Sequence, residues 1–345
     1  MNRKEFLKSA TVLSALPLAS CGSIISQSDQ QGIEKIKPKI LQKGDLVGLI
    51  SPGSYISKSM LAEAKANLES LGLKVISSKN ILKKAGYLAG TDKERADDVN
   101  EMFANKKVKA IVTVRGGYGC ARILSMLDYN LIRENPKIIM GYSDITSLLY
   151  AIYSKTRLVC FHGPVATSTF NDYSNTHVKH ILFEGTRNYE MVNPNKKENQ
   201  IIVIKEGIAE GELVGGNLSI VVSMVGTEYD IDVKDKILFL EDVGEEPYRI
   251  DRMLTQLLQG TNLKQATGIA LGVFKNCEID KSKPEFNNSF TLLEVFKDRL
   301  GGLNIPIIYG LSFGHIADKF TLPIGVRARL DTNEKSITLL ESSVI

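Results

Sequence analysis

The sequence predicts an α/β fold in which an N-terminal parallel sheet is followed by a second, α+β region. Short apolar runs rich in Val, Ile and Leu recur through the first half of the chain, and segments with helical periodicity separate them. This alternation is typical of a parallel sheet covered by helices on both faces. A polar stretch then separates this half from a second half whose pattern is less regular.

The elements of the first half predict a domain with a Rossmann-like parallel sheet over residues 43–170. Its predicted helices include residues 60–71 and 93–105. Its predicted buried strands are residues 46–50, 73–76, 108–114, 138–140 and 158–161. In such sheets ligands bind beyond the carboxyl ends of the strands, so we expect the site after residues 114 and 140.

The second half predicts a C-terminal α+β domain over residues 201–345 with a mixed or barrel-like sheet. Residues 171–200 are mostly polar and predict the interdomain linker. An amphipathic helix is expected over residues 248–258. Strands are expected at residues 236–241, 268–274, 306–309 and 327–330.

The first 21 residues predict an export signal. A basic start is followed by a mostly apolar run over residues 10–19, which is too short to span a bilayer because that takes about 20 apolar residues. The ending Leu18–Cys21 resembles a bacterial lipobox, in which the cysteine is lipidated; the alternative is an ordinary signal with a chance cysteine. Residues 22–42 then serve as a tether. This predicts a protein exported and lipid-anchored to a bacterial membrane, on its periplasmic or extracytoplasmic face.

The composition excludes some classes of partner. Without the first 21 residues the chain has 40 basic and 38 acidic residues. This small excess does not produce the strong positive potential that binds nucleic acid. Three further cysteines, Cys120, Cys160 and Cys277, are too widely separated for a disulfide framework or a zinc site. We expect three ordinary, mostly buried thiols.

A serine lies where the strand over residues 138–140 turns into a helical pattern, in the motif Gly141–Asp144. At such a turn the hydroxyl is exposed beside helix amides that could hold an oxyanion. The second glycine of a G-x-S-x-G elbow is replaced by Ile145. From these residues alone, Ser143 is either a nucleophile or a helix N-cap.

A nucleophilic serine needs a base and a group that orients the base. His315 lies in a glycine-framed loop after the strand over residues 306–309 and is the candidate base. His162 follows a predicted strand, and we expect it to be a hydrogen-bonded structural histidine. We expect His177 and His180, in the linker, to be a solvated pair. Glu241 follows a buried apolar strand, where a carboxylate needs a partner, so it is the candidate orienting acid.

A glycine-rich loop, Arg115–Gly119, follows another predicted strand. Its glycines allow backbone amides to approach a ligand closely. Neither the Lys-Ser/Thr of a Walker motif nor the dinucleotide fingerprint is present. We therefore expect the loop to bind an oxyanion and not a nucleotide.

Six motifs occur in the order found in the LD-carboxypeptidases, and the chain resembles that serine peptidase family from about residue 43 to residue 330. The family comprises muramoyltetrapeptide carboxypeptidases and enzymes of microcin self-immunity. The motifs are Arg115–Gly119, Gly141–Asp144, Phe161–Pro164, Gly215–Leu218, Leu240–Asp242 and Gly314–His315.

The resemblance implies the role of each candidate residue. Ser143 would be the nucleophile, His315 the base and Glu241 its orienting acid. It also implies an amidotransferase-like N-terminal domain and a homodimer, and it implies neither a metal nor a cofactor.

Further candidates come from the two loops that flank the serine. The amides of Gly116, Gly117 and Asp144 would hold the oxyanion, and Arg115 and Tyr118 are candidate substrate-binding residues. Arg115 either neutralises the substrate's terminal carboxylate or braces its loop.

The reaction implied is release of D-alanine from a peptidoglycan tetrapeptide, by cleavage after the L-centre of meso-diaminopimelate or lysine. Two alternatives stay open. One is a peptidase of the same family that degrades a peptide-nucleotide antibiotic, which the absence of tryptophan disfavours. The other is a lipid-anchored protein that binds muropeptides without cleaving them, which the complete serine, histidine and glutamate set disfavours.

The predicted anchor can be tested directly. Cys21→Ser removes the only atom to which the lipid would be attached, so the variant should leave the membrane fraction and appear in the soluble fraction. Fractionation followed by immunoblotting measures this, and an unchanged distribution would refute lipidation at Cys21.

Overall fold

The computed structural model describes residues 34–194, 200–279, 282 and 288–345. The predicted export signal and its lipidation residue Cys21 lie outside the described residues. Within the described ranges, no helix is both long enough and apolar enough to cross a bilayer.

Fourteen strands in the described residues form two sheets. They are β1 Leu46–Ile50, β2 Lys74–Ser77, β3 Val108–Thr113, β4 Ile138–Gly141, β5 Cys160–His162, β6 Tyr189–Val192, β7 Ile202–Lys205, β8 Ile208–Asn217, β9 Lys236–Val243, β10 Gly268–Lys275, β11 Ile307–Gly314, β12 Leu322–Ile324, β13 Arg327–Asp331 and β14 Ser336–Leu339.

Eight α-helices connect them in the described part of the chain. They are α1 Lys58–Ser70, α2 Asp92–Ala104, α3 Tyr129–Glu134, α4 Ile145–Thr156, α5 Asp172–Val178, α6 Leu218–Met224, α7 Pro247–Gly260 and α8 Leu292–Leu300. Shorter turns are 3-10 helices at Cys120–Met126 and Leu263–Gln265 and a π-helical turn at Lys179–Phe183.

The first sheet has the order β12-β5-β4-β3-β1-β2. Strands β1 to β5 run parallel, and β12 from the second half of the chain adds antiparallel to β5. The central strands are almost entirely buried, which is why they are continuous runs of β-branched and apolar residues. The parallel arrangement brings the ends of β3 and β4 to one edge, as the sequence predicts.

The second sheet has the order β6-β14-β13-β8-β9-β10-β11-β7. Its centre, β8 to β11, is parallel, and both flanks are antiparallel, so the sheet is mixed. The predicted α/β class with a second, mixed sheet is confirmed. The stretch predicted as a linker contains helix α5 and strand β6, and the latter is an edge strand of this second sheet.

The two sheets meet where strand β8 reaches helix α4. A Cβ added to Gly216 would lie 2.5 Å from Thr146 Cγ2 and 2.6 Å from its Oγ1, so only glycine permits this approach. The next residue, Asn217, donates its amide to Thr146 Oγ1 at 3.1 Å. Since Asn217 pairs with Glu241 across β8 and β9, this contact links the start of α4 to the strand that carries Glu241.

Candidate active site

Ser143 lies in a strained turn between β4 and α4. Its φ of 66° is in the left-handed region, which costs a residue with a side chain on the order of 1–3 kcal/mol. Helix α4 begins two residues later at Ile145, which is fully buried. A Cβ on Gly141 would lie 2.9 Å from Ile145 Cγ2, so Gly141 makes room for the isoleucine that replaces the second glycine. The N-cap interpretation of Ser143 is wrong, because the residue before the helix is Asp144.

The glycine-rich loop lies directly against the serine. A Cβ on Gly116 would lie 2.9 Å from Ser143 Cβ and 3.1 Å from its Oγ. Asp144 Oδ2 accepts a hydrogen bond from the amide of Cys120 at 3.0 Å, which joins the two loops. Buried Arg95 secures the glycine loop by donating to Gly119 O at 2.8 Å and also to the carbonyl of Pro52.

Glu241 and His315 form a hydrogen-bonded pair. His315 Nδ1 lies 2.7 Å from Glu241 Oε2, and the Glu241 side chain is fully buried in strand β9. The expectation that Glu241 has a partner is confirmed. The loop predicted over residues 310–315 is wrong as far as Gly314, because β11 extends to that residue, and His315 is the first residue after the strand. A Cβ on Gly314 would lie 3.0 Å from Glu241 Oε2, so glycine lets the two strands bring the pair together.

Tyr142 brings this pair beside the serine loop. Its ring packs edge-on against that of His315 with 4.8 Å between centroids, and Ser143 is the next residue along the chain. Among the described residues no hydrogen bond joins the Ser143 hydroxyl to His315. Such bonds are often long in unliganded enzymes and shorten when substrate binds.

The remaining predicted site residues lie on the glycine loop. Gly117 lies against Ser54, whose Oγ accepts a hydrogen bond from the amide of Tyr118 at 3.1 Å. The Tyr118 side chain is 53% exposed, and its ring centroid lies 5.7 Å from that of Tyr87. The Arg115 side chain is half-buried and makes no hydrogen bond or ion pair in the part of the chain that the structure describes.

His162 differs from its prediction. It is buried, with ring centroids 6.1 Å from Tyr142 and 5.4 Å from Phe239, but neither ring nitrogen has a hydrogen-bond partner among the described residues. Burial, with smaller contributions from His315 and Lys319, lowers its pKa to about 3. His162 is therefore neutral at physiological pH.

The linker histidines are not a solvated pair. His177 is buried and its Nδ1 lies 2.9 Å from the Tyr189 hydroxyl, while His180 Nδ1 lies 2.6 Å from Glu184 Oε2. Burial lowers the pKa of His177 to about 4.

Asp242 is a capping residue and is not solvated. It is buried and accepts hydrogen bonds from Asn217 Nδ2 and from the amide of Ser219 in the first turn of α6, both at 2.9 Å. The predicted buried thiols are confirmed, since Cys120, Cys160 and Cys277 are free and buried.

Lys319 is the residue at this site that sequence reasoning missed. Its side chain is only 4% exposed, and its Nζ lies 4.5 Å from the centre of the Tyr142 ring. The available signal was a single lysine four residues after His315, just before the apolar segment 320–324.

Comparisons with known proteins agree with this architecture. Residues 47–163 match the LD-carboxypeptidase N-terminal domain and residues 210–330 the LD-carboxypeptidase C-terminal domain. A probable murein peptide carboxypeptidase of Bacillus subtilis is 41% identical over 308 residues, covering 88% of this chain and 94% of the relative.

Two solved structures are also similar. One is an MccF-like protein from Bacillus anthracis, with 33% identity, a TM-score of 0.79 and coverage of 89% of this chain and 99% of that one. The other is a muramoyltetrapeptide carboxypeptidase from Oxalobacter formigenes, with 31% identity, a TM-score of 0.72 and coverage of 85% and 97%.

The fold and these matches place the chain among the peptidases. More narrowly, it belongs to the LD-carboxypeptidase family, because its two domain matches span most of the chain and the Bacillus subtilis relative aligns over nearly its whole length.

The buried histidine generates a prediction for pH dependence. Unfolded histidine titrates near pH 6.5, whereas folded His162 titrates at about 3, so below pH 6.5 the unfolded state binds more protons. The free energy of unfolding should therefore fall as pH falls below 6.5. His162→Leu should reduce the slope of this free energy against pH by roughly 1 kcal/mol per pH unit between about pH 6 and 5.

Urea unfolding of both proteins at three pH values measures the two slopes. Equal slopes, or an NMR titration of His162 near pH 6.5, would contradict the burial of an unpartnered neutral imidazole.

Proposed function

We propose that the protein is a serine LD-carboxypeptidase that releases terminal D-alanine from peptidoglycan-derived tetrapeptides. The bond cleaved joins the L-centre of meso-diaminopimelate or lysine to D-alanine. The relatives named as murein peptide and muramoyltetrapeptide carboxypeptidases support this substrate class. With the predicted anchor, the enzyme would act on the wall side of a bacterial membrane as a homodimer, in cell-wall recycling or remodelling.

The observation that carries the proposal is the Glu241–His315 pair beside the strained serine turn. The carboxylate accepts the Nδ1 proton of the imidazole at 2.7 Å, and this leaves Nε2 free to accept a proton. The Tyr142 ring, at 4.8 Å from that of His315, places this base next to the residue preceding Ser143.

In the proposed mechanism His315 Nε2 takes the hydroxyl proton as Ser143 Oγ attacks the scissile carbonyl carbon. The tetrahedral intermediate then expels D-alanine, whose nitrogen receives that proton from His315, and an acyl-enzyme ester remains. Water attacks the ester with His315 again as base, and the proton returns to Ser143. Glu241 stabilises the imidazolium formed in each half-reaction.

The oxyanion is assigned to backbone amides of the two loops that meet at the serine. Gly116 and Gly117 come from one loop and Asp144 from the other. The hydrogen bond from the amide of Cys120 to Asp144 Oδ2 holds the loops together, so these amides are organised before substrate binds. Loss of one oxyanion donor typically lowers kcat about 100- to 1,000-fold.

Substrate binding is assigned to the exposed side of the glycine loop. Tyr118 offers an aromatic surface there, and Arg115 a cation that no other described side chain engages. Exposed aromatic rings and unpaired cations of this kind suit a peptide that carries both apolar and carboxylate groups.

The adjacent tyrosines also support a second candidate, a peptidase acting on a peptide-nucleotide antibiotic. Tyr87 and Tyr118 are both more than half exposed and 5.7 Å apart, and so could stack on a nucleobase despite the absence of tryptophan. A muropeptide-binding protein without catalysis, in contrast, would not need the Glu241–His315 pair. Release of the amino acid from a peptidyl nucleotide, but not of D-alanine from a tetrapeptide, would favour the antibiotic peptidase.

The proposed triad predicts specific losses of activity. Ser143→Ala, His315→Gln and Glu241→Gln should each lower kcat for D-alanine release from a muramyl tetrapeptide by at least about 1,000-fold while the protein stays folded. Ser147→Ala is the matched control, because this buried serine one turn along α4 donates only to the Asp144 carbonyl.

Mass spectrometry of the products measures D-alanine release. Full activity in Ser143→Ala would refute the mechanism. Binding of the tetrapeptide without any release by the wild type would favour the binding protein.

A further inference from the structure

Lys319 is a buried cation at the proposed site, and no carboxylate of the residues that the structure describes contacts its ammonium group. It lies between β11 and β12, four residues after His315, and only 4% of it is exposed. Its Nζ makes no hydrogen bond or ion pair with any residue that the structure describes. A buried ammonium without such a partner is unusual, because removing a charge from water is costly unless another group compensates.

Glu241 does not supply that compensation by direct contact. Its Oε2 accepts the hydrogen bond from His315, and its Oε1 is buried without a partner. The carboxylate acts on Lys319 only through space, and burial still lowers the pKa of Lys319 to about 8. An anion that reaches Nζ would therefore stabilise the charged form.

The backbone around Lys319 is held in place. The Lys319 amide donates to Ser174 Oγ at 3.0 Å, and Ser174 Oγ donates to the carbonyl of Ala317 at 2.8 Å. On the other side Ser312 Oγ donates to the carbonyl of Asp318 at 2.7 Å. These buried hydroxyls anchor the backbone from which the Lys319 side chain extends, and the side chain itself is buried and is not a surface group.

The same tyrosine ring contacts both the cation and the proposed base. Lys319 Nζ lies 4.5 Å from the centre of the Tyr142 ring, and the His315 centroid lies 4.8 Å from it. In a carboxypeptidase substrate, the terminal carboxylate follows the scissile carbonyl by one residue, or roughly 3.5 Å of chain. A group that binds this carboxylate must therefore lie close to the nucleophile and base, and Lys319 Nζ contacts the ring of Tyr142, the residue before Ser143.

We propose that Lys319 Nζ binds the terminal carboxylate of the residue that is released, and so makes the enzyme a carboxypeptidase. The inference rests on the proposed function. Arg115 is the competing cation, but its half-buried guanidinium keeps contact with water. Lys319 is almost completely removed from water, so it gains more from an anionic ligand.

The test compares two substrates that differ only in charge at the C-terminus. One is the tetrapeptide ending in D-alanine, and the other is the same peptide ending in D-alanine amide. The wild type should prefer the free acid by about 100-fold in kcat/KM, the range expected for a charge-assisted hydrogen bond. In Lys319→Met, kcat/KM for the acid should fall by about 100-fold and that for the amide by less than threefold, so that the preference disappears.

Arg115→Met tests the competing cation: whatever its effect on the overall kcat/KM, the preference for the acid should remain. Lys319→Gln retains polarity without the charge, and repeats the test should the methionine variant not fold. A preference that persists in the Lys319 variants, or that disappears in Arg115→Met alone, would overturn the proposal. An equal loss on both substrates would also overturn it, because it would show only a structural role or an effect on Glu241.

The outcome separates this inference from the proposed function. No release of D-alanine by the wild type would refute both. Release by the wild type with an unchanged acid preference in the Lys319 variants would refute the assignment of Lys319 alone.

Discussion

The contact between strand β8 and helix α4 is the constraint on which the rest of the site depends. At Gly216 the strand backbone comes so close to Thr146 that a single added carbon would lie 2.5 Å from the threonine side chain. Asn217 then bonds to the Thr146 hydroxyl and pairs with Glu241 on the next strand. The serine comes from the first sheet and the glutamate and histidine from the second, so their separation is set by this short connection.

Several glycines of the site act by permitting close approach. Gly116 allows its loop to contact Ser143, and Gly314 allows β11 to bring His315 to the buried Glu241. Gly141 makes room for Ile145, which anchors the first turn of α4 in the core. The left-handed conformation of Ser143 costs free energy, and the surrounding packing holds it there. These features make the site rigid before substrate binds, which favours positioning of reacting groups.

The sequence predicted the parts of this protein that depend on local pattern. The parallel strands follow from buried apolar runs, and the serine turn from a strand that meets a helix at Gly141–Asp144. Ordered motifs then indicated Glu241 and His315 as partners, and the structure places them 2.7 Å apart.

The features that the sequence did not predict depend on long-range packing. Residues 310–314 are predicted as part of a loop because two of them are glycines, whereas they form the end of β11 by pairing with β10. His177 is predicted in solvent, since nothing local shows that Tyr189 will cover it. The sequence does not indicate Lys319, because a lone lysine usually lies on the surface and only the tertiary structure shows that this one is buried.

The most direct test of this account measures how fast a fluorophosphonate reagent modifies Ser143 in Gly216→Ala, relative to wild type and to Gly302→Ala. A Cβ at Gly302 meets nothing within 4 Å, so that variant should react like the wild type. In folded Gly216→Ala the displaced Thr146 should separate the serine turn from the Glu241–His315 pair. A displacement of about 1 Å can cost about 100-fold in rate, and a loss of that size is predicted. Wild-type labelling of Ser143 in a folded Gly216→Ala protein would contradict the claim that this contact sets the geometry of the site.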